Sequence, residues 1–334
     1  MVAEGFTMNA YFMIVLIAVV LFFVVWGLGW FLERMSHLTL QTTRNPGSRA
    51  WYLLVGPGVA LHESSHALGC VFTRTPIVEF KPINVSVQGD QVVLGYVRYQ
   101  NPPSHFKRAI INLAPVGVSL ILLTTFALVA TYLAPEYTGI GGEALNLLFG
   151  LISLKNDPNL LANPALPVIQ IADFVYSFFT AIAGLTVVNP IFWIIAFFAM
   201  TIMFSNAPSD VDIKNASVGL KAIIIFDLIW LALAAVYPGV GWLLPGVFEL
   251  LAMLFALMLG FAVVAYGFFI MITGMSHLKT PFNIIPFVAC IATGAAMSYY
   301  NIGTPAFQTV VALVIFVIVI LPLLYTKAFR VGQS

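Results

Sequence analysis

Residues 51–72 read WYLLVGPGVALHESSHALGCVF, an apolar run interrupted by His62, Glu63 and His66. Residues four apart stack on one face of a helix, so His62 and His66 can address a single metal ion. Glu63 sits about 100° round the same helix, within reach of a metal-activated water. Gly56-Pro57-Gly58, one turn earlier, is expected to kink or restart the helix and let water approach. Ionisable groups in such a run are costly in lipid and are usually functional.

The surrounding chain explains where this helix lies. Of 334 residues, 61% are hydrophobic and only 8% are charged, and mean hydropathy is +1.00. Apolar stretches of about 20 residues recur along the whole length, each long enough to cross a bilayer. The expected fold is an all-α polytopic membrane protein with about eight transmembrane helices and a small β-rich insertion after the second. The spans are expected near 9–32, 50–73, 108–133, 188–206, 216–237, 246–273, 281–300 and 305–326. The first lacks a small-residue cleavage site and reads as an anchor. Segment 167–187 is also apolar and reads as a further span, a re-entrant hairpin or an interfacial helix. A net charge of +1 gives no basis for a nucleic-acid partner. Cys70 and Cys290 both fall in apolar runs, which supports neither a disulfide framework nor a thiolate metal cage.

Three units follow: an anchor and loop over 1–49, a core over 50–237 with its insertion at 74–107, and C-terminal helices over 238–334. Within the insertion, FKPINVSVQGDQVVLGYVRYQ carries two β-rich runs flanking Gln88-Gly89-Asp90-Gln91, a hairpin turn by composition. The insertion is basic, with Arg74, Lys81, Arg98 and Lys107, whereas 134–166 is acidic, rich in Gly, Pro and Asn, and reads as irregular. The positive-inside rule places 74–107 in the cytoplasm. Loop 33–49, with Arg34, Arg44 and Arg49, runs against that alternation. The expectation is a multi-pass protein of the cell membrane, its metal site toward the cytoplasmic side.

A catalytic zinc site has three protein ligands and an open position, so a third donor is needed. Few acids are available. Asp173 and Asp227 lie within or beside spans, Glu249 begins one, and Asp90 and Asp157 lie in loops. Asp210 and Asp212, in FSNAPSDVDIKNA, stand where an apolar span ends and on the same side as the HESSH pentad of residues 62–66, provided 167–206 crosses the membrane an odd number of times. That condition favours a non-spanning 167–187. Ser209-x-x-Asp212 also fits a capping box opening the next helix. Asp212 is the expected ligand, with Asp210 as the alternative.

HESSH in a membrane helix, then a strand-rich insertion, then an Asp after an Asn/Pro segment resembles the site-2 protease family of intramembrane zinc metalloproteases. His62, Glu63 and His66 match the family's HExxH. The run from Asn206 through Pro208 to Asp212 resembles its second motif, in which Asn and Pro precede an Asp ligand. Ala114-Pro115 is similar to a Gly-Pro that often opens the following helix. Two departures stand: Asp212 is followed by Ile213 instead of Gly, and the spacing from Asn206 is compressed. The likeness covers roughly 50–235.

The resemblance implies a Zn2+ cofactor, a membrane-protein substrate within the bilayer, Glu63 as the catalytic base, and Asn206 as a substrate or oxyanion partner. An unwound substrate segment is expected to add as a strand beside 76–99. Two other classes fit parts of the sequence: a metal-ion transporter or channel using Asp173, Asp227 and Glu249, and a silent relative that binds membrane proteins without cutting them.

Overall fold

The computed structural model describes residues 8–43, 49–84, 86–88, 91–93, 95–133, 139–206, 209–326 and 329. Among them, eleven α-helices and four short strands are formed. In chain order these are α1 (Ala10–Thr43), α2 (Arg49–Phe72), β1 (Ile77–Lys81), β2 (Ser86–Gln88), β3 (Gln91–Val93), β4 (Tyr96–Tyr99), α3 (His105–Leu133) and α4 (Ile140–Leu154). There follow α5 (Pro158–Leu161), α6 (Ala165–Gly184), α7 (Pro190–Ser205), α8 (Asp210–Val236), α9 (Val247–Ser276), α10 (Ile285–Tyr299) and α11 (Pro305–Tyr325). A 3-10 turn, Pro238–Trp242, links α8 to α9.

By length and composition, six helices are apolar enough to cross a membrane: the Ala10–Met35 part of α1, most of α3, α6, most of α8, α9 and α11. The architecture is that of a helical multi-pass membrane protein. Helix α2 forms over 24 residues, but its polar residues set it apart from those six.

Three expectations are revised. Segment 167–187 is not the odd piece: α6 is a 20-residue apolar helix, whereas α7, expected to span over 188–206, has only 16 residues. At 1.5 Å per residue α7 is about 24 Å long, short of a 30 Å hydrocarbon core. Its apolarity has another cause, since Ile195, Ala196 and every residue from Ala199 to Ser205 are buried in protein. Likewise α10, in the expected span 281–300, has 15 residues. Finally, the stretch expected to be irregular holds α4 and α5. Its Gly, Pro and Asn content suggested irregular chain, but buried Ile140, Ala144, Leu147, Leu151 and Leu154 recur at helical spacing and bind α4 to the bundle.

Local signals set the helix ends that matter here. Asn189 caps α7 by accepting from the Ile191 amide, and Pro190 occupies the first turn, where a missing N–H costs nothing. At the start of α8 a complete capping box forms between Ser209 and Asp212.

The insertion folds as two antiparallel pairs, β1 with β4 and β2 with β3. Gln88 pairs with Gln91, which brackets the expected turn; residues 89 and 90 themselves lie outside the described residues. The outer pair is tied by Glu79, which accepts from Tyr96 Oη at 2.7 Å and bridges Lys81 Nζ at 2.8 Å and Arg98 Nη1 at 3.4 Å. The hydrogen bond from the Lys81 ammonium holds the Glu79 carboxyl below its usual range.

Within the bundle, α9 is the most enclosed of the long helices, packing on α1, α4, α6 and α7. Near its start Glu249 Oε1 pairs with Lys155 Nζ at 2.6 Å, both side chains buried. The ammonium lies 5.9 Å from the centre of the Tyr11 ring and 5.7 Å from that of Trp242, so four helical regions meet around one ion pair.

Candidate metal centre

Helix α2 is held against two neighbours at glycines. A Cβ on Gly58 would stand 2.5 Å from Phe204 Cβ and 2.8 Å from the Thr201 carbonyl oxygen, so α7 approaches backbone to backbone. A Cβ on Gly69 would stand 2.9 Å from Ile111 Cα, which brings α3 equally close. These two contacts flank the pentad by about one turn on either side. Their consequence is chemical: each brings a backbone carbonyl to an imidazole.

His62 Nδ1 lies 2.8 Å from the Ser205 carbonyl oxygen, and His66 Nδ1 lies 2.8 Å from that of Ile111. A carbonyl only accepts, so each Nδ1 must carry the proton, and each neutral ring then offers a bare Nε2 lone pair. Those lone pairs converge. The two Nε2 atoms are 3.0 Å apart, His66 Nε2 is 3.1 Å from Asp212 Oδ1, and His62 Nε2 is 3.3 Å from Asp212 Oδ2. Asp212 is fixed in turn, because its Oδ2 accepts from the Ser209 amide at 3.0 Å and from Ser209 Oγ at 2.7 Å.

Three electron-pair donors at this separation repel one another unless something positive lies among them. A proton on one Nε2 satisfies one contact, whereas a cation at the centre satisfies all three. Ligands about 2.0–2.2 Å from a tetrahedral zinc stand roughly 3.3 Å apart, close to the 3.0 Å between the imidazoles and the 3.1 and 3.3 Å from them to the two Asp212 oxygens. Carbonyl-anchored imidazoles and a hydrogen-bonded carboxylate are also what orients ligands around a metal. Among the described residues, His62, His66 and Asp212 are the one group of three His, Cys, Asp or Glu side chains gathered this way. The donor set fits zinc.

Glu63 faces the same space. Glu63 and Val97 of β4 line a cavity of about 750 Å³ with the two histidines and Asp212. Strand β4 pairs with β1 along one edge, and at Val97 the insertion meets the pentad across this cavity. The cavity is also lined by Glu33 of α1, Tyr99 of β4 and Asn112 of α3.

The expected site residues are thus distributed as follows. His62, Glu63, His66 and Asp212 meet at the cavity. Asp210 is the first residue of α8, and its side chain lies outside the described residues. Asn206 ends α7 directly after the carbonyl that anchors His62, but its amide is 1% exposed, is absent from the cavity wall and has no hydrogen-bond partner among the described residues. Of the remaining acids, Asp173 is exposed on α6, Asp227 is partly exposed on α8, and Glu249 is paired with Lys155.

Sequence reasoning missed the two anchoring carbonyls, which carry no side-chain signature, and it missed Glu33, Tyr99 and Asn112. Asn112 had a signal: it is the one polar side chain in AIINLAPVGV, a run otherwise free of them. No known protein family, curated protein or solved structure matches the chain.

Proposed function

We propose that the chain is an intramembrane metalloendopeptidase of the site-2 protease type, cutting membrane-embedded or membrane-adjacent segments of other proteins. The observation that carries this reading is the convergence of His62 Nε2, His66 Nε2 and an Asp212 carboxylate oxygen beside Glu63 in one cavity. Those three atoms would hold Zn2+, which when bound supplies a Lewis acid able to acidify water and polarise a peptide carbonyl.

The protein's own groups supply the rest. Glu63 takes the proton from the attacking water and returns it to the leaving amine nitrogen, a transfer that suits a carboxylate one helical position from a ligand. The Ser205 and Ile111 carbonyls keep both imidazoles in the tautomer that leaves Nε2 free. Ser209 holds the Asp212 carboxylate in place. A helical substrate hides its peptide bonds, so it must unwind before attack. The β1–β4 pair beside the cavity offers strand backbone for an unwound segment to lie along.

Purified protein in liposomes, given a single-span transmembrane peptide, is expected to cut it once the protein is reconstituted. Cleavage should stop with a zinc chelator and return when zinc is added back. Zinc flux into the liposomes with no peptide cut would contradict the reading and favour a transporter.

A further inference from the structure

The peptidase reading requires a hydrogen-bond donor for the carbonyl oxygen that becomes negative as water adds, and Asn206 does not line the cavity. We infer that the Tyr99 hydroxyl on β4 is that donor, oriented by Asn112 of α3, an inference that rests on the peptidase reading.

Both side chains line the cavity with the histidines and Glu63. Asn112 is 5% exposed and follows Ile111, whose carbonyl anchors His66. Its amide orientation is set by contact of Nδ2 with the Arg108 carbonyl oxygen at 2.7 Å, since only the nitrogen can donate there. The second proton of Nδ2 points to Tyr99 Oη at 3.2 Å. The return contact, Tyr99 Oη to Asn112 Oδ1, is 3.4 Å, beyond the usual 2.5–3.0 Å of an O–H···O bond. Tyr99 therefore accepts from Asn112 and keeps its own proton available to the cavity. Accepting a hydrogen bond also polarises the phenol and makes it the better donor. Burial pushes the Tyr99 hydroxyl pKa up, so it stays protonated at neutral pH.

Three other donors on that wall are already engaged: Tyr96 and Arg98 by Glu79, with Arg98 67% exposed on its side chain, and Ser209 by Asp212. In the reaction Tyr99 breaks no bond. Its hydrogen bond to the substrate oxygen shortens as charge develops and relaxes as the carbonyl re-forms. Asn112, touching Tyr99 and not the substrate, is a positioning residue.

The test uses the zinc-loaded full chain and the transmembrane peptide. Tyr99→Phe keeps the ring and is expected to lower kcat by about 10²–10³-fold, with KM changed by less than about threefold and one zinc still bound per chain. A phosphinic analogue of the same peptide should lose affinity in parallel with kcat/KM, while the intact peptide binds as before. Asn112→Ala should lower kcat in the wild-type chain and have little further effect on Tyr99→Phe, a non-additivity that a purely structural role would not give. Wild-type kcat in Tyr99→Phe, a loss confined to KM, or loss of the zinc would overturn the assignment while leaving the peptidase reading intact. No cleavage by the wild-type chain would overturn both.

Discussion

Glu63→Gln is expected to lower peptide cleavage by about 10²–10⁴-fold while the protein still binds one zinc per chain. The substitution keeps the side chain's size and one acceptor oxygen. It removes only the capacity to take a proton from water. His62, His66 and Asp212 meet one another without Glu63, so metal retention should be unaffected. The two readouts together separate a base from a ligand or a structural group. Loss of zinc with the activity would make Glu63 part of the metal cage. Full activity in Glu63→Gln would mean that cleavage uses another base.

The largest effect on stability is expected at Glu249. Its carboxylate pairs with Lys155 at 2.6 Å, with side-chain exposures of 0% and 5%, so neither charge has water to fall back on. Glu249→Ala leaves the Lys155 ammonium buried and uncompensated, which should destabilise the fold by about 3–5 kcal/mol, read from reversible unfolding in mixed micelles. The double change Lys155→Met with Glu249→Leu removes both charges and should restore most of that loss. The pair joins the end of α4 to the start of α9 and lies far along the fold from the pentad, so zinc content below the unfolding transition should not change. A shift below about 1 kcal/mol in Glu249→Ala would show that the pair is not the desolvated contact described.

What could be read from residues was local. The HESSH pentad is a spacing rule within one helix, and the hairpin is a composition rule within one loop. Elimination among few acids left Asp210 and Asp212 together, and the capping box of Asp212 with Ser209 was legible from spacing alone. What could not be read depends on how helices approach one another. Gly58 and Gly69 permit the contacts that bring Ser205 and Ile111 carbonyls to the imidazoles, and backbone carbonyls leave no trace in sequence. Tyr99, Asn112 and Glu33 reach the cavity from three separate elements, so no spacing rule links them. Helix α4 was obscured by the Gly, Pro and Asn content of its stretch, and α7 by an apolarity that reflects burial in protein more than contact with lipid.

The central claim is a metal centre made by His62, His66 and Asp212, and metal analysis with X-ray absorption on the purified, zinc-loaded chain tests it most directly. The account predicts one zinc per chain with two imidazole nitrogens and a carboxylate oxygen at about 2.0–2.2 Å, and its loss or marked weakening in Asp212→Ala. Undiminished zinc affinity in Asp212→Ala, or a zinc shell lacking the two imidazoles, would contradict it.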